Sequence, residues 1–318
     1  MKTSGGHAAI KKPRLIYYLE NAGSFILPGA FFRRRRAKIL SRTSIEERAE
    51  IDRRVNYYNR LNESFTPGPG AKPFRLNIFA GRRNYVMDLY RYTRYFDPGF
   101  LINYVFGDVI DVPSVPSIVK ARPIAGDHRN SVLFNLNKVR HFVFVQDGQT
   151  FSEKINKAVW RGNSFQEPRK VLLRKHFENP RCDFGHARRR ESTGPWNRPF
   201  LTITEQLNYK FIVSIEGNDV ATNLKWIMSS NSLCLMPRPT RETWFMEGTL
   251  VPGKHFVLLR DDFADLDEKM DYYMAHPDEA VEIIRNAQAY VQQFQDPARE
   301  DAIALLVLEK YFRLSGQI

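Results

Sequence analysis

Cysteine is scarce in this sequence of 318 residues: it has two, Cys182 and Cys234, and neither belongs to a C-x-x-C pair. Neither a disulfide framework nor a cysteine zinc site is suggested, and Cys234, inside an apolar run, reads as core. Long apolar runs are lacking too. The longest stretches, near 25–27 and 302–308, fall far short of the roughly 20 residues that span a bilayer. The N-terminus has no unbroken apolar segment of the signal-peptide kind, because Lys11, Lys12 and Arg14 precede only a brief apolar stretch at 15–19. Cytoplasmic residence is the resulting expectation. The histidines are scattered without an H-x-x-x-H pair, so zinc is not indicated. Asp265-Leu266-Asp267 spells a D-x-D but reads as the opening of a helix, where acidic side chains suit the dipole. No metal and no cofactor are expected. A full G-x-G-x-x-G signature and internal repeats are also missing.

What is present is a folded composition, 43% hydrophobic, 13% aromatic and 26% charged, over a length that suits two lobes. The formal net charge of +13 calls for an anionic partner such as nucleic acid, lipid headgroups or a phosphorylated substrate. Residues 1–60 carry 14 Lys/Arg against 5 Asp/Glu, so most of the excess lies in the first fifth of the chain. Within 15–40, aromatic residues including Tyr17, Tyr18, Phe25, Phe31 and Phe32 run into Arg33-Arg34-Arg35-Arg36 and Lys38. That order suits the surface of an anionic membrane, where rings sit at the apolar boundary and arginines meet phosphates. A packed helix with a solvated basic end fits equally well. Nucleic acid is not expected as a partner, since no zinc finger, RNA-recognition or helix-turn-helix pattern accompanies the arginines.

Residues 1–9 read as unstructured. Ser44 with Glu47 forms a capping box opening a helix that runs to about Asn62, and Thr66-Pro67-Gly68-Pro69-Gly70 is a break. Strands are expected at 74–79, 102–106, 132–136 and 141–145, with a helix over 85–95. The second half offers a strand at 158–160, a basic helix at 168–177, a strand at 255–259 and helices at 266–274, 277–294 and 301–314. The division expected is a basic helical segment at 1–70, an α/β lobe at 71–150, a second α/β lobe at 151–295 and a final helix at 296–318.

The stretch 209–237 organises this second lobe. It reads as a buried strand at 211–215, a polar turn carrying Gly217, a helix from about Asp219 and a strand at 233–236. Such a β-α-β unit presents a helix N-terminus to an anion such as a diphosphate. Asn218, Asp219, Ala221, Thr222 and Asn223 put small or hydrogen-bonding side chains into that turn, and Lys225 follows. Taken alone, Asn218 or Asp219 also reads as a simple helix cap.

Several segments together resemble glycosyltransferase family 90, and its bacterial lipopolysaccharide core enzymes in particular. They are Trp160-Arg161-Gly162-Asn163, the run from Glu216 to Trp226, Glu242-Thr243-Trp244-Phe245, residues 251–256 and residues 261–266. Tyr57-Tyr58-Asn59 and Asp111-Val112-Pro113-Ser114-Val115-Pro116 extend the likeness into the first half. The resemblance implies an α/β protein of two Rossmann-like lobes in the glycosyltransferase B-type fold, with a cleft between them. It implies an inverting, metal-independent transfer of sugar from a nucleotide-sugar, UDP-linked by expectation, to lipopolysaccharide core or a similar glycan. The basic, aromatic N-terminal segment would hold such an enzyme peripheral to the inner face of the inner membrane, through Arg33–Arg36.

By the same resemblance Asp111, in its Asp-x-Pro-x-x-Pro context, is the catalytic base, and Asp108 competes for that role. Trp160, Arg161, Gly162, Gly217, Asn218, Asp219, Ala221, Thr222, Asn223, Lys225 and Glu242 are the donor-side residues. Arg161, the 218–223 turn and Lys225 would meet the charge of the departing diphosphate. Lys138 and Arg140, with Asp108, are the acceptor-side candidates. Relatives of eukaryotic type carry an arginine where this chain has Asn223, which leaves nucleotide choice open. Trp160, Trp226 and Trp244 could stack on a base or sugar, or simply pack.

Overall fold

The computed structural model describes residues 8–10, 27–41, 45–76, 82–187 and 194–318. Ser44 of the expected capping box, most of the aromatic stretch before Leu27, and residues 77–79 of the expected strand at 74–79 lie outside them. The chain divides into two compact units. One comprises Met1–Lys11, His141–Pro239 and Gly248–Gln293, the other Lys12–Arg140, Thr240–Glu247 and Phe294–Ile318. Residues 240–247 and the last helix therefore build on the same unit as 12–140.

The first unit is α/β. Its five-stranded sheet is parallel throughout, in the spatial order Cys182–His186, Ile155–Gly162, Tyr209–Val213, Leu233–Met236, Val257–Leu258. A parallel sheet needs crossover segments that cover its faces, so the buried parts of its central strands are apolar. Phe211, Ile212, Val213, Leu233 and Leu235 are all fully buried. The helix Glu167–His176 contributes Leu172 and Leu173, and the helix Pro277–Gln292 contributes Ala280, Ile283 and Ile284, to the same core. Ala8–Ile10, its first two residues expected to be unstructured, pairs antiparallel with Phe144–Gln146. Asp265 does open a helix, Leu266–Ala275, with Asp267 in its first turn.

The second unit packs the helices Ile45–Tyr58, Arg83–Thr93 and Pro297–Leu314 with three small sheets. Tyr104–Val105, Ser117–Val119 and Ser131–Leu133 are parallel, while Ala121–Pro123 pairs antiparallel with Arg241–Thr243 and Lys72–Pro73 with Leu101–Ile102. The strand expected at 102–106 is split because the Asn103 N–H donates to the Tyr311 hydroxyl (3.1 Å) instead of to a strand. Before the strand expected at 141–145, Asn137 takes a left-handed conformation (φ 56°). The Lys138 N–H then donates to Asp88 Oδ2 (3.1 Å), and a short helix, Lys138–His141, forms.

The central β-α-β unit differs from expectation in one respect that matters for chemistry. Its helix spans only Leu224–Met228, and residues 217–223 are a loop. The Gly217 N–H donates to the Asp219 carbonyl (2.9 Å), closing a tight turn. Asn223 is tied back to the preceding strand: its Nδ2 donates to the Val213 carbonyl (3.0 Å) and its Oδ1 accepts from Ser214 Oγ (3.1 Å). Those bonds hold the segment in a loop up to Asn223, so no helix N-terminus stands at Asp219.

Candidate functional site

In chain order the strands of the parallel sheet lie 2-1-3-4-5, so the direction of winding reverses between Ile155–Gly162 and Tyr209–Val213. In open α/β sheets the crossovers at such a reversal leave toward opposite sides, and the crevice at the carboxyl ends of the two strands is the usual ligand position. Trp160, Arg161 and Gly162 end the first of these strands, and the loop bearing Gly217, Asn218, Asp219, Ala221, Thr222 and Asn223 follows the second. Topology thus brings together the two segments expected on the donor side, although more than fifty residues of chain separate them.

The side chains there have unequal freedom. Arg161 is held inward, its side chain 5% exposed, with Nη2 paired to Asp183 Oδ1 (2.6 Å) and Nε donating to the Pro199 carbonyl (2.9 Å). Burial works to raise the Asp183 pKa, but hydrogen bonds from Tyr209 (2.7 Å) and Arg161 hold it below the usual carboxylate value. The Tyr209 hydroxyl is pushed up to about 12 by burial and by that carboxylate. Lys225 is fully buried and Asp219 nearly so, whereas Asn218 is exposed and its Oδ1 accepts from Gln166 Nε2 (2.9 Å). Trp160, Trp226 and Trp244 are all buried.

The guanidinium that joins the two loops belongs to Arg169, which sequence reasoning passed over. Its Nε donates to the Glu216 carbonyl (3.1 Å), Nη2 to the Ile215 carbonyl (3.2 Å), and Nη1 to Asn163 Oδ1 (2.9 Å) and the Asn163 carbonyl (3.2 Å). It also lies 5.8 Å from the Trp160 ring centroid. A signal was available: Arg169 sits in the first turn of the helix Glu167–His176, where a cation opposes the helix dipole and needs another reason to be there. Both glycines meet close neighbours. A Cβ on Gly162 would lie 2.7 Å from Trp160 Cζ2, and one on Gly217 would lie 3.0 Å from Arg169 Nη2.

The second unit holds the other candidates. Asp111 is exposed, on the loop between Tyr104–Val105 and Ser117–Val119. Beside it, a cleft of about 320 Å³ is lined by Val112 and Pro116 together with Asn62, Asp127, Arg129 and Asn130. Asn130 Nδ2 braces the loop by donating to the Pro113 carbonyl (3.1 Å). Asp108 is already engaged, its Oδ1 accepting from the buried Lys120 Nζ (2.6 Å). Lys138 is half-buried and Arg140 exposed, on the short helix described above.

Glu242, expected on the donor side, lies in this second unit at 1% exposure. Its Oε1 accepts from Arg122 Nε (2.7 Å) and its Oε2 from the Tyr57 hydroxyl. Arg122, wholly buried, also donates to the carbonyls of Tyr57 (2.7 Å), Tyr58 (3.2 Å) and Ser131 (3.2 Å). Burial holds the Arg122 pKa below its ordinary value although Glu242 opposes that shift. Arg60, 3.8 Å from the Glu242 carboxylate, lies 2.5 Å from His128 Nε2. Burial, with Arg122 and Arg60 nearby, holds His128 below its ordinary value of 6.5.

An all-parallel sheet reversing at a crevice edged by glycine and arginine is the architecture of α/β proteins that hold ligands at the carboxyl ends of their strands. The chain belongs to glycosyl transferase family 90, whose profile matches residues 136–311. It is 43% identical over 306 residues to "O-glucosyltransferase LpsA" of Dichelobacter nodosus, covering 95% of this chain and 96% of that one. It is 26% identical over 172 residues to "Protein O-glucosyltransferase 3" of Homo sapiens, which covers 52% of this chain and 33% of that protein. "Protein O-glucosyltransferase 2" of Danio rerio is 24% identical over 176 residues, 52% of this chain and 35% of that protein. The chain is a glycosyltransferase. Among the described residues no helix is long and apolar enough to cross a membrane.

Proposed function

We propose that the enzyme moves a sugar, with inversion and without a metal ion, from a UDP-linked nucleotide-sugar to lipopolysaccharide core or a similar surface glycan. The observation that carries this reading is the winding reversal of the parallel sheet, with the Trp160–Gly162 and Gly217–Asn223 segments at its carboxyl edge. In this reading the two units are the Rossmann-like lobes of a glycosyltransferase B-type fold. The name O-glucosyltransferase carried by the relative that matches nearly the whole chain favours glucose as the sugar.

The chemistry asks for three things. A base must take the proton of the acceptor hydroxyl, opposite the departing diphosphate. Asp111, exposed beside a cleft whose amide, carboxylate and guanidinium side chains suit sugar hydroxyls, is assigned that role. The new bond then forms from acceptor oxygen to anomeric carbon as the bond to the diphosphate oxygen breaks, and the nucleoside diphosphate leaves with the electron pair. Cationic groups must meet its charge. Arg169 is the guanidinium at the crevice edge, while Arg161 and Lys225 act from beneath by holding the strand and loop in place. Finally, the enzyme must reach a lipid-linked acceptor, and the exposed Arg33, Arg34 and Arg35 of the helix Gly29–Leu40 give it an anionic-membrane contact.

The test is nucleotide release from a panel of UDP-, GDP- and CMP-sugars, with a chelator present, with and without lipopolysaccharide acceptor. Acceptor-dependent release of UDP from one donor is expected. Release that vanishes with the chelator would sink the metal-independent reading, and release from a GDP- or CMP-sugar alone would sink the UDP assignment.

A further inference from the structure

A larger cavity in the second unit, about 400 Å³, shares no lining residue with the cleft beside Asp111. Its walls are apolar and aromatic, with Phe74, Phe96, Phe100, Ile102 and Phe312 among them. Two arginines, Arg33 and Arg94, also line it. The Arg94 guanidinium lies 3.7 Å from the Phe32 ring centroid, which fixes its direction, and Arg33 is exposed on the first turns of the helix Gly29–Leu40. Asp97 is the one carboxylate among the lining residues, and its Oδ1 accepts the Gly99 N–H (2.8 Å). Around the start of the helix the surface is both apolar and cationic: Leu27 is 45% and Phe31 40% exposed, next to the exposed Arg34 and Arg35. Among the described residues no carboxylate pairs with Arg33, Arg34 or Arg35.

We propose that this cavity takes an acyl chain of an anionic phospholipid, whose phosphate is bound by Arg33 and Arg94. The volume falls in the range of small-ligand sites, about 300–1,000 Å³. A nucleotide or sugar would leave its hydroxyls unpaired against such walls, whereas an acyl chain gains by leaving water there. Guanidinium groups match phosphate geometry with paired N–H donors. An apolar hold and a basic patch together make the two signals that stable peripheral binding requires. The inference deepens, and rests on, the membrane contact proposed above.

Dihexanoyl phosphatidic acid, below its critical micelle concentration, would be titrated into the full chain by calorimetry, with dihexanoyl phosphatidylcholine and inorganic phosphate as controls. Sedimentation with phosphatidylserine vesicles would be run in parallel. The variants are Ala30→Trp, at an exposed position lining the cavity, and Arg33→Ser. The expected result is binding of the phosphatidic acid about tenfold or more tighter than either control, weakened by about the same factor in both variants. Ala30→Trp should still sediment with vesicles, because its arginines remain. Equal binding by Ala30→Trp, or equal binding of phosphate or of phosphatidylcholine, would overturn the proposal. Vesicle binding without monomer binding would overturn it while leaving the membrane contact standing; loss of both would remove the two together.

Discussion

Arg122 and Glu242 are both out of water, so neither charge could stay there alone. Removing one partner of such a pair leaves the other buried and uncompensated, at a cost of about 3–5 kcal/mol. Glu242→Gln and Arg122→Met should each lower unfolding free energy by about that amount, measured by urea titration. Titrating the folded variant Glu242→Gln with UDP tests the donor-side expectation for this residue directly: unchanged affinity assigns Glu242 to the Arg122 network alone. Asp111 presents the opposite case, an exposed carboxylate whose replacement disturbs little packing. Asp111→Asn should keep donor affinity and stability while transfer falls by about 10²–10⁴-fold, the range of a general base. Transfer within a few-fold of the parent would move the role to another carboxylate.

At the level of elements, the crevice depends on two loops being held in register by one arginine and on close packing under Gly162. A methyl group at 162 would press on the ring of Trp160, which is buried and cannot swing aside. Gly162→Ala should therefore cost about 1–3 kcal/mol of stability, the usual range for overpacking, and raise the donor Kd. Arg169→Met should weaken donor binding more than Arg161→Met, since Arg161 faces Asp183 while Arg169 joins both loops. The comparison is read from UDP titrations of the two variants. The helix Gly29–Leu40 is where the proposed membrane contact is tested. Arg36 lies 4.8 Å from the Phe96 ring centroid, so the informative charge removal is Arg33, Arg34 and Arg35 to serine, keeping Arg36. That variant should lose anionic-vesicle sedimentation with donor affinity intact.

For the whole molecule, stability should fall on mild acidification. Burial holds His128 and His255 below their ordinary value, so each prefers to be neutral in the folded chain. The unfolded chain then binds more protons once the pH nears 6.5. Stability is thus full above that value and declines as pH drops through it toward the folded pKa. Melting temperature should decrease between about pH 7.5 and about pH 5.5, and His128→Gln should make that slope shallower. An unchanged slope would show that the Arg60 and Arg122 surroundings do not disfavour the charged ring. Carboxylates such as Asp183, held low, contribute their own loss only at more acidic pH.

The family could be read from short contiguous segments, because those segments are constrained by local geometry: Gly162 by a neighbouring ring, Asp111 by the prolines around it. Four strands of the parallel sheet were legible as well, because their buried parts are apolar runs, but the edge strand Cys182–His186, with Asp183 and Gly185 in its short sequence, reads as loop. Side-chain direction was not legible. Arg161, Lys225 and Glu242 look alike as charges in one dimension, yet the fold buries Lys225 and pairs Arg161 with Asp183 and Glu242 with Arg122. The helix expected at Asp219 failed because the Asn223 amide finds better partners on the preceding strand than along a helix. Arg169 acquires its place only when the sheet reverses and brings two loops within reach of one guanidinium. Residue types and local spacing fixed what kind of protein this is; which charges face the crevice depended on contacts between segments far apart in the chain.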